Sequence, residues 1–137
     1  MRGLAAVGPL MLAALLAACG GIRAPDLFIV QRSGNVAGAR LTLLVNEEGG
    51  VHCNGGQTLK LSDPQLIEAR SIQEDLREPA SKHTSLPAGS QSVLSYYVRD
   101  ENGSVQFSDD SKGQPPVFRR LAAFVLQTAQ TVCRLPM

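Results

Sequence analysis

The hydrophobic positions of this chain change period along its length. Residues 4–16 form a nearly unbroken apolar run. Between residues 27 and 61 apolar positions alternate in short segments separated by Gly-rich turns. From Leu66 and again from Val117 they recur every three to four residues. Alternation is the mark of half-buried strands, and the longer period is that of amphipathic helices.

Residues 27–32 (LFIVQR) read as a strand, followed by a Gly-rich loop at 33–39 (SGNVAGA). Residues 40–46 give a second strand with Leu41, Leu43 and Val45 on one face. A tight turn at 47–50 (EEGG) precedes a third strand, 51–54, in which Val51 and Cys53 face one side and His52 the other. Asn54-Gly55-Gly56 supplies the positive φ of a hairpin turn, and 57–61 is a fourth strand. Short strands between three close turns describe an antiparallel meander.

The period then lengthens. Ser62-Asp63-Pro64-Gln65 is a helix start: either Asp63 caps with Pro64 at the first helical position, or Ser62 and Gln65 form a capping box. Leu66, Ala69, Ile72 and Leu76 line one stripe, and Pro79 is expected to end the helix. Residues 80–91 are a polar loop. Residues 93–100 and 104–108 form a hairpin about Asn102-Gly103, which sets Val98 opposite Phe107 and Arg99 opposite Gln106. After a polar turn at 109–114, Pro115-Pro116 opens a last helix, 117–133. Val117, Leu121, Phe124, Val125, Thr128 and Val132 form its stripe, with Cys133 in the last turn. The expected fold is α+β: a small, mostly antiparallel sheet of about six strands packed by two amphipathic helices. One domain spans residues 27–137.

The first eighteen residues read as an address. Arg2 precedes the apolar run, which falls short of the ~20 residues of a membrane-spanning helix and fits a secretory signal. Leu16-Ala17-Ala18-Cys19 resembles the bacterial lipobox. The resemblance implies cleavage after Ala18 and diacylglycerol on the sulfur of Cys19, with further acylation giving a stable anchor. Residues 19–26 (CGGIRAPD) would be a short tether. The competing reading is an ordinary signal peptide with an incidental cysteine. The expected location is the extracytoplasmic face of a membrane. Gly20 stands where that class carries Asp for inner-membrane retention, so a Gram-negative host would place the protein at the outer membrane or in the periplasm.

Charge adds little to this picture. The chain holds 13 Lys+Arg and 12 Asp+Glu, and removing the signal takes Arg2 with it, which balances the two. A neutral domain has no charge-driven partner. Six aromatics (Phe28, Tyr96, Tyr97, Phe107, Phe118, Phe124), no Trp and no basic excess argue against nucleic acid as a partner.

Cys53 and Cys133 remain after Cys19. Outside the cytoplasm an even pair points to a disulfide. Closing a loop of about 80 residues is worth up to ~4.5 kcal/mol in the chain-entropy account. The rivals are free thiols or a metal site using His52, Cys53, His83 and Cys133. Adjacent His52 and Cys53 on a strand face opposite ways, which disfavours shared ligation. The acidic pairs Glu47-Glu48, Asp100-Glu101 and Asp109-Asp110 lack calcium-loop spacing. The chain shows no phosphate loop, dinucleotide fingerprint, HExxH or GxSxG, so neither an enzyme nor a cofactor is expected. Arg119-Arg120 reads as a solvated helix face, and His83 as a surface histidine.

The most distinctive surface feature is the loop containing Gly34, Asn35, Val36, Ala37 and Gly38. Structurally it is a strand connector whose glycines adopt positive φ. Functionally it is a candidate partner-binding loop, since recognition residues concentrate in loops on a rigid scaffold.

Several segments together resemble the emfourin-type inhibitor family, small proteins that inhibit thermolysin-like metalloproteases. They are the opening strand, the SGxxAG-like loop from Ser33 to Gly38, the amphipathic strand at 41–45 and the Leu61 to Leu66 step into a helix. The hairpin pattern Tyr96, Val98, Gly103, Val105, Phe107, Asp109 and the Pro-opened helix with Arg120-Leu121 and Phe124 complete the pattern. The resemblance runs from Phe28 to Leu126. It implies a non-catalytic, protein-binding domain whose partner is a protease. The lipobox, the cysteine pair and the polar loop after the first helix depart from the family pattern, and no inhibitory residue carries across. The alternative is a structural or assembly lipoprotein of the cell envelope.

Overall fold

A computed structural model of the chain describes residues 26–136. The signal segment 1–18, Cys19 and the tether up to residue 25 lie outside the described residues. The elements are β1 (Asp26–Gly34), β2 (Leu41–Asn46), β3 (Gly50–Cys53), β4 (Leu59–Lys60), α1 (Asp63–Ser81), β5 (Leu94–Asp100), β6 (Gly103–Ser108) and α2 (Pro116–Thr131).

The strands form one sheet in the order β4-β3-β2-β1-β5-β6, each neighbour antiparallel. The opening meander and the later hairpin therefore meet on the two sides of β1. Strand parity sends Phe28, Val30, Leu41, Leu43, Val45, Val51, Tyr96, Val98, Val105 and Phe107 to one face, where all are buried. The helices cover that face with Ala69, Ile72 and Leu76 of α1 and Val117, Phe118, Leu121, Phe124 and Val125 of α2. Phe118 stacks on Phe107, which stacks on Tyr96, with ring centres 4.4 and 5.0 Å apart; Phe124 meets Phe28 edge-on at 6.0 Å.

Capping chemistry fixes the start of α1. Ser62 Oγ accepts from the Gln65 N–H at 3.3 Å and Gln65 Oε1 accepts from the Ser62 N–H at 2.9 Å, so the capping box is the alternative that forms. Pro79 does not end the helix, which continues to Ser81. Proline removes the N–H that would meet the Asp75 carbonyl. One lost bond near a helix end is offset by burying Ala80 against the sheet. Gly103 makes that approach possible: at φ +152° it lies so close to the Ala80 carbonyl that a Cβ would collide.

The same glycine shifts the β5–β6 register from the expected one. Asp100 Oδ1 accepts from the N–H groups of Asn102 at 2.8 Å and Gly103 at 3.1 Å. The turn is thus Glu101-Asn102, and Gly103 pairs with Asp100. Val98 faces Val105, Tyr96 faces Phe107 and Arg99 faces Ser104. The displacement is two residues, so every side chain keeps its face.

Arg119 is exposed as expected, but Arg120 is half-buried and paired. Its guanidinium donates to Glu68 (3.2 Å), Asp75 (2.5 Å) and Ser71 (2.8 Å), clamping α2 antiparallel to α1. Hydrogen bonding to Glu68, and after it to Asp75, holds its pKa above the ordinary guanidinium value.

The disulfide between Cys53 and Cys133 is formed, with Cα atoms 5.9 Å apart. Cys133 lies just beyond α2 rather than in its last turn. The helix stops at Thr131, Cys133 N–H reaches back to the Thr128 carbonyl at 2.9 Å, and Arg134 reverses the chain at φ +54°. Leaving the helix is what lets the sulfur reach β3. The bridge joins the C-terminal segment to the sheet.

Candidate functional site

β1 leads the chain from Asp26 to the loop singled out in the sequence. Its pairing with β5 persists through Gly34 opposite Leu94, and one further bond follows, from Asn35 N–H to the Val93 carbonyl at 3.2 Å. Gly34 is packed so closely on that carbonyl that a side chain would collide. The loop closes with a bond from Ala39 N–H to the Val36 carbonyl at 3.2 Å, and Gly38 takes φ +78°.

The base of the loop is braced from inside. Arg32 shares the inward parity of Phe28 and Val30 and is only 2% exposed. Its Nε donates to the Ala39 carbonyl at 2.8 Å and its Nη2 to the Gly38 carbonyl at 3.1 Å. The carbonyl of buried Ala39 and that of the more exposed Gly38 are both paired by a charged donor, among the stronger of protein hydrogen bonds. The C-terminal segment supports the other side: a Cβ at Gly38 would sit 2.9 Å from the Pro136 carbonyl oxygen. The sequence reading gives no sign of Arg32. Its charge suggests solvent, and only its place in the alternation of β1 hints otherwise.

Above this base Val36 stands half exposed, and Val93, tied to the loop by the Asn35 bond, is 41% exposed. Tyr97 is exposed on the open face of the sheet, opposite Gln31. A hollow of about 200 Å3 on this open face is lined by Gln31, Ser33, Ser95, Tyr97 and Gln106, with Arg32 and Tyr96 below. This end of the sheet offers apolar tips and neutral amide and hydroxyl groups, a combination suited to a protein surface. Val93 and Tyr97 were not among the residues picked out in the sequence. Their exposure depends on which face of β5 stays open.

The other candidates have structural roles. His52 Nδ1 donates to the Gly56 carbonyl at 2.9 Å and its Nε2 accepts from the Thr58 hydroxyl at 3.2 Å, which pins the β3–β4 turn. His83 is exposed at φ +49°, with Nδ1 3.4 Å from Ser104 Oγ. Asp110 accepts from the N–H groups of Gly89 (2.9 Å) and Gln91 (2.8 Å), and Asp109 from that of Val93 (3.1 Å). Among the described residues no three His, Cys, Asp or Glu side chains come together in a way that could hold a metal ion. A larger groove, about 450 Å3, lies between the helices over Pro79, Pro115, Pro116 and Val117. Its charged rim is paired within itself, Arg120 with Asp75 and Lys82 with Glu78.

Set against protein-family models, curated proteins and solved structures, the chain matches none of them.

Proposed function

We propose that the protein is a non-catalytic, lipid-anchored, extracytoplasmic binding module that engages a protein partner through residues 34–38. The partner class is a thermolysin-like metalloprotease, inhibited by occlusion of its cleft. The observation that carries the reading is the course of β1. This nine-residue strand starts at Asp26, where the tether from Cys19 would end, and finishes at the loop. At strand rise its two ends are about 26 Å apart. The seven residue steps from Cys19 to Asp26 reach at most about 25 Å. A lipid on Cys19 would thus hold one end of the sheet near the membrane and leave Val36 at the far end, open to a partner in the aqueous phase. Bracing by Arg32 favours binding because little loop entropy is left to lose.

A second reading is a structural or assembly lipoprotein that binds through the open sheet face. The half-buried pair Ile29 and Leu44, opposite one another on β1 and β2, favours it.

The chain from Gly20 onward, titrated against thermolysin, separates the two. Stoichiometric loss of protease activity that Val36→Asp abolishes supports recognition by the loop. No inhibition, with an envelope protein captured equally well by Val36→Asp, supports the sheet-face reading. Cys19→Ser should move the full chain from the membrane to the soluble fraction; retention in the membrane would sink the anchor.

A further inference from the structure

The braced loop and the disulfide are connected through one short segment. Among the described residues beyond Thr131 the chain makes three backbone bonds, from Val132 and Cys133 to the Thr128 carbonyl and from Leu135 to the Ala129 carbonyl, at 2.9–3.0 Å. All three tie it to α2. The covalent tie to the sheet is the bridge from Cys133 to Cys53 on β3. Three residues past Cys133, Pro136 lies against Gly38 and backs the loop. The buried contacts of α2, Phe118, Leu121, Phe124 and Val125, lie upstream of the bridge, while Val132, Cys133 and Leu135 pack against that core only partly buried. Both cysteines are only partly buried.

We infer that the Cys53–Cys133 disulfide is a latch on the loop at 34–38: reducing it frees the C-terminal segment from Gly38 and loosens the loop while the sheet and helices persist. The chemistry needs a dithiol reductant. Its thiolate attacks one sulfur of the bridge, the S–S bond breaks, and the second reductant thiol resolves the mixed disulfide. Cys53 and Cys133 end as thiols with the two electrons and two protons, and the reductant ends as a disulfide. In its consequence for partner binding the latch rests on the function proposed above. Its structural content does not.

Amide hydrogen exchange on the full chain in detergent, with and without dithiothreitol, tests it. The amides of Asn35 and Ala39 should exchange faster by about tenfold or more on reduction, while those of Val30 and Phe124 keep their protection, as in a local opening. Loop amides unchanged by reduction overturn the latch. So does simultaneous loss of protection at all four, which would make the bridge a global staple. A variant ending at Leu135, kept oxidised, should loosen the same loop amides without reductant; an unaltered loop there overturns the route through Pro136. A reductant-sensitive loop in a protein that inhibits no protease would leave the latch standing and remove the recognition role.

Discussion

The β1–β2 connection (residues 35–40) and the α1–β5 connection (residues 82–93) both interrupt the hydrophobic pattern with Gly and small polar residues, yet the fold uses them differently. The longer one is consumed in covering the sheet. Ser85 bridges Gln106 in parallel, the Leu86 N–H donates to the Gln106 carbonyl at 2.8 Å, and the Gln106 N–H donates to the Thr84 carbonyl at 2.9 Å. Ser111 Oγ donates to the Pro87 carbonyl and Asp110 holds Gly89 and Gln91. The outer edge of β6, which would otherwise invite pairing with another chain, is thereby capped. The shorter connection is held at its base, by Arg32, the Asn35 bond and the approach of Pro136 to Gly38, and its apex carries the half-exposed Val36. A connector whose backbone groups are spent on its own sheet is architecture. One that is fixed at the root and open at the tip is equipped for recognition.

Arg32→Met is the strongest way to break this contrast. Methionine keeps much of the volume but leaves the Gly38 and Ala39 carbonyls without their charged donor. Urea unfolding should show a loss of about 3 kcal/mol. A loss under about 1 kcal/mol would mean that the loop is not held from below. Asp110→Ala removes two bonds that pin the longer connection, at a half-buried site. The expected loss is about 1–2 kcal/mol, with faster exchange at Gly89 and Gln91 and none at Asn35. Val36→Asp should leave stability within about 0.5 kcal/mol of the parent while partner binding is lost; a large drop in stability would make the tip architectural as well.

The smallest effect lies where the longer connection begins. A hydrogen bond from Lys82, and after it the Lys82 charge, hold the Glu78 carboxyl below its ordinary value of 4.5. A folded-state pKa lowered in this way favours the native state above the ordinary value, and that contribution fades as pH falls through the lowered one. Both groups are exposed. Glu78→Gln should therefore narrow the gap between neutral and acid stability only slightly, as an acid titration of urea midpoints would show.

The existence and kind of nearly every element were legible in the sequence because the signals are local. Alternation of Leu41, Leu43 and Val45 needs only the strand period, and the Ser62–Gln65 box needs only four consecutive residues. The bridge was legible from the cysteine count and the location expected from the sequence, since the chain holds three cysteines and Cys19 ends the segment that resembles a lipobox. The errors fell where local rules compete with contacts distant in sequence. Pro79 stays helical because Ala80 packs on the sheet. The β5–β6 register follows Asp100 and the closeness of Gly103 to α1. Arg120 finds its partners on another helix.

The loop was visible as an irregularity between two strands, but not what holds it or what stands beside it. By itself the sequence determined the order and type of elements and the inward faces of the strands and helices. These follow from periodicities and residue chemistry that act within a few positions. The tertiary structure decided that β1 lies inside the sheet, that an arginine is buried beneath Gly38, and that Val93 stands beside the loop that carries Val36. Those facts depend on which distant segments meet, and the burial free energy that selects among such meetings belongs to the whole core rather than to any window of the chain.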